Sequence, residues 1–158
     1  MLDGIFCENA GVVLSWCGKR GMRFALANRH LPLAELLKLR MAQQGYTVWI
    51  DSDRLGPGID WREEIDQAIK KSRALIAVMS VEARASEYVT YEWAFAWGAG
   101  VKIIPIMLKE TPLHPRLATL QYLDFTKRTA RPWDRLLAAL ADIQNRSTRA
   151  APSGIWSQ

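Results

Sequence analysis

One carboxylate stands apart in this chain. Glu92 is the lone charge in Tyr88-Val89-Thr90-Tyr91-Glu92-Trp93-Ala94-Phe95-Ala96-Trp97. The run is apolar or nearly so all round, and it predicts a helix from about Ser86 to Ala99 buried between a sheet and a neighbour. Helical spacing puts Tyr88, Glu92, Phe95 and Ala99 on one face and Val89, Trp93 and Trp97 on another. An acid among aromatic rings is costly unless it is paired or faces a polar pocket. Residue type alone leaves two readings open. Glu92 is a structural acid that pairs with an arginine or lysine or caps a loop, or it is an active-site carboxylate.

The second candidate is the loop Asp53-Arg54-Leu55-Gly56-Pro57-Gly58, because Gly-Pro-Gly continues neither strand nor helix. Its glycines suit a segment that changes shape, and Asp53 and Arg54 could pair across an interface. Loops on rigid scaffolds often carry function. Asp51 and Asp53 lack further oxygen ligands at useful spacing, so no metal is expected there. Cys7, Cys17, His30 and His114 fall at unrelated spacings, which makes neither a zinc site nor a disulfide framework.

The elements that must position these residues alternate between two periods. Arg23 to Ala27 reads as a strand, followed by the polar break Asn28-Arg29-His30. Leu33, Leu36, Leu37 and Met41 recur at helical spacing, with Pro32 in the first turn and Gly45 as a C-terminal cap. Tyr46 to Ile50 is a β-branched and aromatic strand. Asp60 with Glu63 makes a capping box for a helix that buries Trp61, Ile65, Ala68 and Ile69. Ala74 to Met79 is a continuous apolar run, as in a strand covered on both faces, and Ser80 ends it. Val101 to Leu108 is a strand in which Pro105 calls for a bulge or an edge. Gln121 to Phe125 is a short last strand, and Trp133, Leu136, Leu137, Leu140 and Ile143 form the stripe of a final helix.

Strands alternating with helices predict a flavodoxin-like α/β fold: a five-stranded parallel sheet of order 2-1-3-4-5 with helices on both faces. Ligands in such sheets bind beyond the carboxyl ends of the strands, where the order reverses. That crevice falls between the strand ending near Asn28 and the strand ending at Ser80. The expected division is an N-terminal segment over 1–22, either an extension or an extra strand, one domain over 23–145 and a tail over 146–158.

The chain has 158 residues with 21 Lys+Arg against 16 Asp+Glu, a formal charge of +5. Residues 1–125 hold 15 basic and 14 acidic groups, and residues 126–158 hold 6 and 2, so most of the excess sits at the C-terminal end. That distribution argues against nucleic acid, whose footprint is a basic face. No apolar run approaches the ~20 residues that cross a bilayer. A soluble cytoplasmic protein without membrane contact is therefore expected.

Three segments together resemble Toll/interleukin receptor (TIR) domains of the bacterial type. YTVWIDSDRLGPGIDW (46–61) is similar to that family's second strand and BB loop. REEIDQAIKKSRALIAVMS is similar to its next helix and third strand, and SEYVTYEWAFA to its third-helix motif. The resemblance implies cleavage of NAD at the nicotinamide–ribose bond, with Glu92 as the catalytic glutamate and NAD as substrate, no cofactor being needed. Breaking that bond builds positive charge on the ribose, which an adjacent carboxylate can stabilise. Tyr88, one turn earlier, would pack on ribose or base, and Phe24, Asn28, Arg29, Ser80 and Trp61 would line the rest of the pocket. Leu26 and Ala27 stand where the family commonly has Ser and Tyr. Asp53 to Gly58 would mediate self-association with other TIR domains.

An alternative from a different class is a non-catalytic TIR–TIR interaction module. A phosphoacceptor receiver domain would need an aspartate where Ser80 stands. A P-loop nucleotidase would need a Gly-rich loop with Lys-Ser/Thr, and none follows a strand.

Overall fold

The computed structural model describes residues 11–14, 22–27, 31–46 and 61–149. Its elements run in the order β1 (Gly11–Leu14), β2 (Met22–Ala27), α1 (Leu31–Gln43), α2 (Trp61–Lys71), β3 (Ala74–Met79) and α3 (Val81–Ala85). Then come α4 (Glu87–Gly98), β4 (Lys102–Met107), α5 (Pro115–Ala118), β5 (Leu123–Asp124), a 3-10 turn (Arg128–Ala130) and α6 (Trp133–Arg149).

The sheet has the spatial order β1-β2-β3-β4-β5. β2, β3, β4 and β5 are parallel, with Met22 opposite Ala74, Ala74 opposite Lys102 and Ile106 opposite Leu123. β1 pairs antiparallel with β2, Gly11 opposite Ala27. The four parallel strands keep the relative order expected of the first, third, fourth and fifth strands, and β1 adds an antiparallel neighbour that the expected all-parallel sheet lacked. The flank of β2 reserved for the second strand is taken, among the described residues, by a strand from the N-terminal extension. An antiparallel partner needs only a short connection and so can come from just upstream. Residues 47–50, expected as that second strand, lie outside the described residues.

β3 is buried along its whole length, and its side chains alternate between two cores. Ala74, Ile76 and Val78 face Leu33, Leu37 and Met41 of α1 and Leu136 and Leu140 of α6. Leu75, Ala77 and Met79 face Ile65 and Ile69 of α2, Ala83 of α3, Val89, Trp93 and Ala96 of α4 and Leu117 of α5. The result is three layers, helices on both faces of a sheet, as a continuous apolar strand demands.

Local signals explain the joints. α1 closes as its apolar spacing requires: Gly45 takes φ 77°, and the Tyr46 N–H bonds the Met41 carbonyl at 3.0 Å. That left-handed cap is open to glycine at little steric cost. α6 continues through Arg149, so the start of the expected tail at 146 falls inside a helix.

Pro105 is resolved in an unexpected way. β4 lies between β3 and β5, and its register with β3 runs without a bulge. The Phe125 N–H bonds the Met107 carbonyl at 2.8 Å, while the Leu108 N–H bonds Met79. Odd-numbered residues of β4 therefore aim their backbone at β5. β5 pairs only with Ile106 and Met107, so the ring nitrogen of Pro105 points where no partner strand has begun. The missing donor forfeits no ladder bond.

Candidate active site

Parallel strands joined by helices put the start of each helix beside the carboxyl ends of the strands. Two serines set that geometry after β3. Ser80 is fully buried, and its Oγ accepts from the Ala83 N–H at 3.0 Å, capping α3. Ser86 accepts from the Val89 N–H at 3.4 Å and caps α4. Tyr88 and Glu92 thus occupy the half of α4 nearer the strand ends. Glu92 is 0% exposed and shares the inward side of α4 with Val89, Trp93 and Ala96, while Tyr88 is half-buried. Trp97, expected on one face with Val89 and Trp93, is 36% exposed where those two are buried, and Ala99 lies past the last turn.

α4 is fastened on two flanks. Toward α2, the Tyr91 hydroxyl donates to Asp66 Oδ1 at 2.6 Å. The Tyr91 and Phe95 rings stack at 6.1 Å, and Lys70 Nζ lies 5.6 Å from the Phe95 centroid. Toward α5, the Trp93 ring meets His114 at 5.0 Å. His114 in turn accepts the Arg116 N–H at Nδ1.

The strand ends are also tied to each other. The N–H groups of Leu108 and Lys109 both bond the Met79 carbonyl. Lys109 Nζ sits 3.0 Å from Glu82 Oε1. The backbone amide at the start of α3 holds the Glu82 carboxyl down to about 2, with the Lys109 ammonium adding to the effect. A hollow of about 480 Å³ opens beyond β4, lined by Met107, Glu110, Thr111, Pro112, Leu113, Ala118 and Tyr122. It lies on the β4 side of the strand ends, away from the crevice expected between β2 and β3.

Of the residues singled out from sequence, the structure brings Tyr88, Glu92 and Ser80 to the same end of the sheet. Phe24 lies in β2, opposite Ile76 of β3 and Leu14 of β1. Trp61 opens α2. Asn28, Arg29 and Asp53 to Gly58 lie outside the described residues. Sequence reasoning missed Asp66, Tyr91, Glu82 and Lys109. No local signal marks the first two, which meet only because α2 packs beside α4. Among the described residues no cluster of three or more His, Cys, Asp or Glu could hold a metal. No helix among them is long and apolar enough to cross a membrane.

These features define a three-layer α/β domain with an inward glutamate on the second helix after its central strand. The family model of the TIR domain matches residues 24–140. The chain belongs to the TIR domain family, a class of signalling modules. It is similar to the crystal structure of the TIR domain of the Toll-related receptor TRR-2 from Hydra magnipapillata. That likeness has a TM-score of 0.63 at 22% identity and covers 76% of this chain and 95% of that one. No curated protein sequence matches the chain.

Proposed function

We propose that this TIR domain cleaves NAD at the nicotinamide–ribose bond in signalling or defence when self-associated, with Glu92 as the catalytic carboxylate. The observation that supports the reading is a carboxylate 0% exposed on the inward side of α4, in the half of the helix beside the strand ends. A carboxylate held in a dry site stabilises the positive charge that develops on the ribose more strongly than one in water. NAD enters as substrate, and no cofactor or metal is invoked. Tyr88 packs against the ribose or base, and Ser80 caps the helix that leads into the site. Asn28, Arg29, Phe24 and Trp61 complete the proposed pocket, and the loop from Asp53 to Gly58 supplies the contact between copies.

Full burial of Glu92 also favours a second reading, a TIR–TIR interaction module in which the acid is structural. One experiment separates them. Purified protein at high concentration is incubated with NAD and nicotinamide release is followed, wild type beside Glu92→Gln. Release by the wild type that falls by about a hundredfold or more in a variant of equal thermal stability supports catalysis. A folded, assembled wild type that releases no nicotinamide leaves the interaction module.

A further inference from the structure

We infer that Asp66 and Tyr91 are positioning residues: their hydrogen bond sets the roll of α4 about its axis and so aims the Glu92 carboxylate. The inference rests on the NAD-cleavage reading for its consequence in catalysis, while the geometry stands on its own contacts.

The need for such a device comes from the sequence of α4. An ordinary surface helix is oriented by its polar stripe, which cannot turn inward without cost. α4 has almost no such stripe. Its charges are Glu87 in the first turn and the buried Glu92; the other exposed positions Thr90, Ala94, Trp97 and Gly98 are uncharged, and the buried Val89, Trp93 and Ala96 are apolar. With so few charges to hold one side in solvent, packing of Val89, Trp93 and Ala96 is joined by directional contacts in choosing the angle.

The contacts toward α2 have that directional character. Asp66 and Lys70 lie one turn apart on α2, and Tyr91 and Phe95 one turn apart on α4. The Tyr91 hydroxyl donates to Asp66 Oδ1 at 2.6 Å, the short length of a bond to a charged acceptor. Lys70 stands 5.6 Å from the centre of the Phe95 ring. The two pairs make a ladder along the helix crossing, one rung a hydrogen bond and the other a cation on an aromatic face. Tyr91 is also the residue immediately before Glu92. A roll of about 20° that broke the bond would swing a carboxylate ~6 Å from the helix axis by about 2 Å. Displacements of that order are enough to cost a catalytic group its alignment.

Four variants test this: Tyr91→Phe, Asp66→Asn, which keeps the accepting oxygen, Asp66→Ala, and Tyr91→Phe with Asp66→Ala. The first measurement is the carboxyl-carbon resonance of Glu92 in protein labelled on its glutamates, identified by its disappearance in Glu92→Gln. Tyr91→Phe and Asp66→Ala are expected to move that signal, and Asp66→Asn to leave it in place. The second is steady-state nicotinamide release. There, kcat falls about tenfold or more while KM stays within about threefold, and the double variant loses no more than either single one. Asp66→Asn stays near wild type in both measurements.

A Glu92 signal unmoved in folded Tyr91→Phe or Asp66→Ala protein overturns the positioning role. So does a folded Asp66→Asn variant as displaced as Asp66→Ala. A shifted signal with unchanged kcat overturns the catalytic consequence. Wild-type protein that cleaves no NAD removes the NAD reading, and the resonance alone then decides whether this bond aims Glu92.

Discussion

Acidification probes the tie between the end of β4 and the start of α3. Glu82 ionises near 2 in the folded chain, against an ordinary 4.5, mainly because the backbone amide at the start of α3 bonds its carboxylate, and then because Lys109 donates to it. The unfolded chain therefore binds more protons than the folded one between those two values. The contribution is fully present above about pH 4.5 and is lost as the pH falls through about 2. A depression of that size in a site shut off from water would correspond to about 3 kcal/mol. The side chains of Lys109 and Glu82 are 55% and 32% exposed, however. Solvent screening reduces the expectation to about 1 kcal/mol. Glu82→Gln should lose all of this at neutral pH and Lys109→Met only part of it, because the amide at the start of α3 still bonds the carboxylate. Urea unfolding followed by tryptophan fluorescence at neutral pH and at about pH 2.5 measures it. The gap between wild type and Glu82→Gln should narrow toward zero at the acidic end. A gap that stays constant across the window would refute the assignment.

The remaining predictions concern the core and a turn. Phe125 is fully buried and meets Trp133 edge-on at 5.1 Å, so Phe125→Ala should cost about 4 kcal/mol in urea unfolding. A loss below about 1 kcal/mol would mean that this corner of the core collapses onto the gap. Gly100 has φ +72° with no atom within 4 Å of an added Cβ. Gly100→Ala should therefore cost about 1 kcal/mol through backbone strain alone, and an unchanged melting temperature would contradict that.

Segments with one dominant physical signal could be read from the sequence. The unbroken apolar run of β3 announced burial on both faces. Leu33, Leu37 and Met41, Ile65 and Ile69, and Leu136 and Leu140 all took the inward positions their spacing required. Glu92 was identifiable as the one acid in an otherwise apolar helix, and it does face inward. The short helices α3 and α5 escaped because four or five residues are too few to show a period, even with Ser80 and His114 ready to cap them. β1 was an apolar stretch whose place depended on a partner, and nothing local in Gly11–Leu14 says that it pairs antiparallel with β2. The Asp66–Tyr91 bond joins ordinary residues 25 positions apart. Only the packing of α2 beside α4 gives either residue a role.

The far border of the sheet has a bearing on how copies of this chain can meet. Its last strand is two residues long, and in the neighbouring strand the buried Pro105 offers no N–H where that strand has not yet begun. An incoming segment would find almost no row of amides and carbonyls to copy, so fibre-like growth by adding strands is blocked along that margin. Any contact between copies along that margin would have to use helices and loops, which dissociate without unzipping a β-ladder.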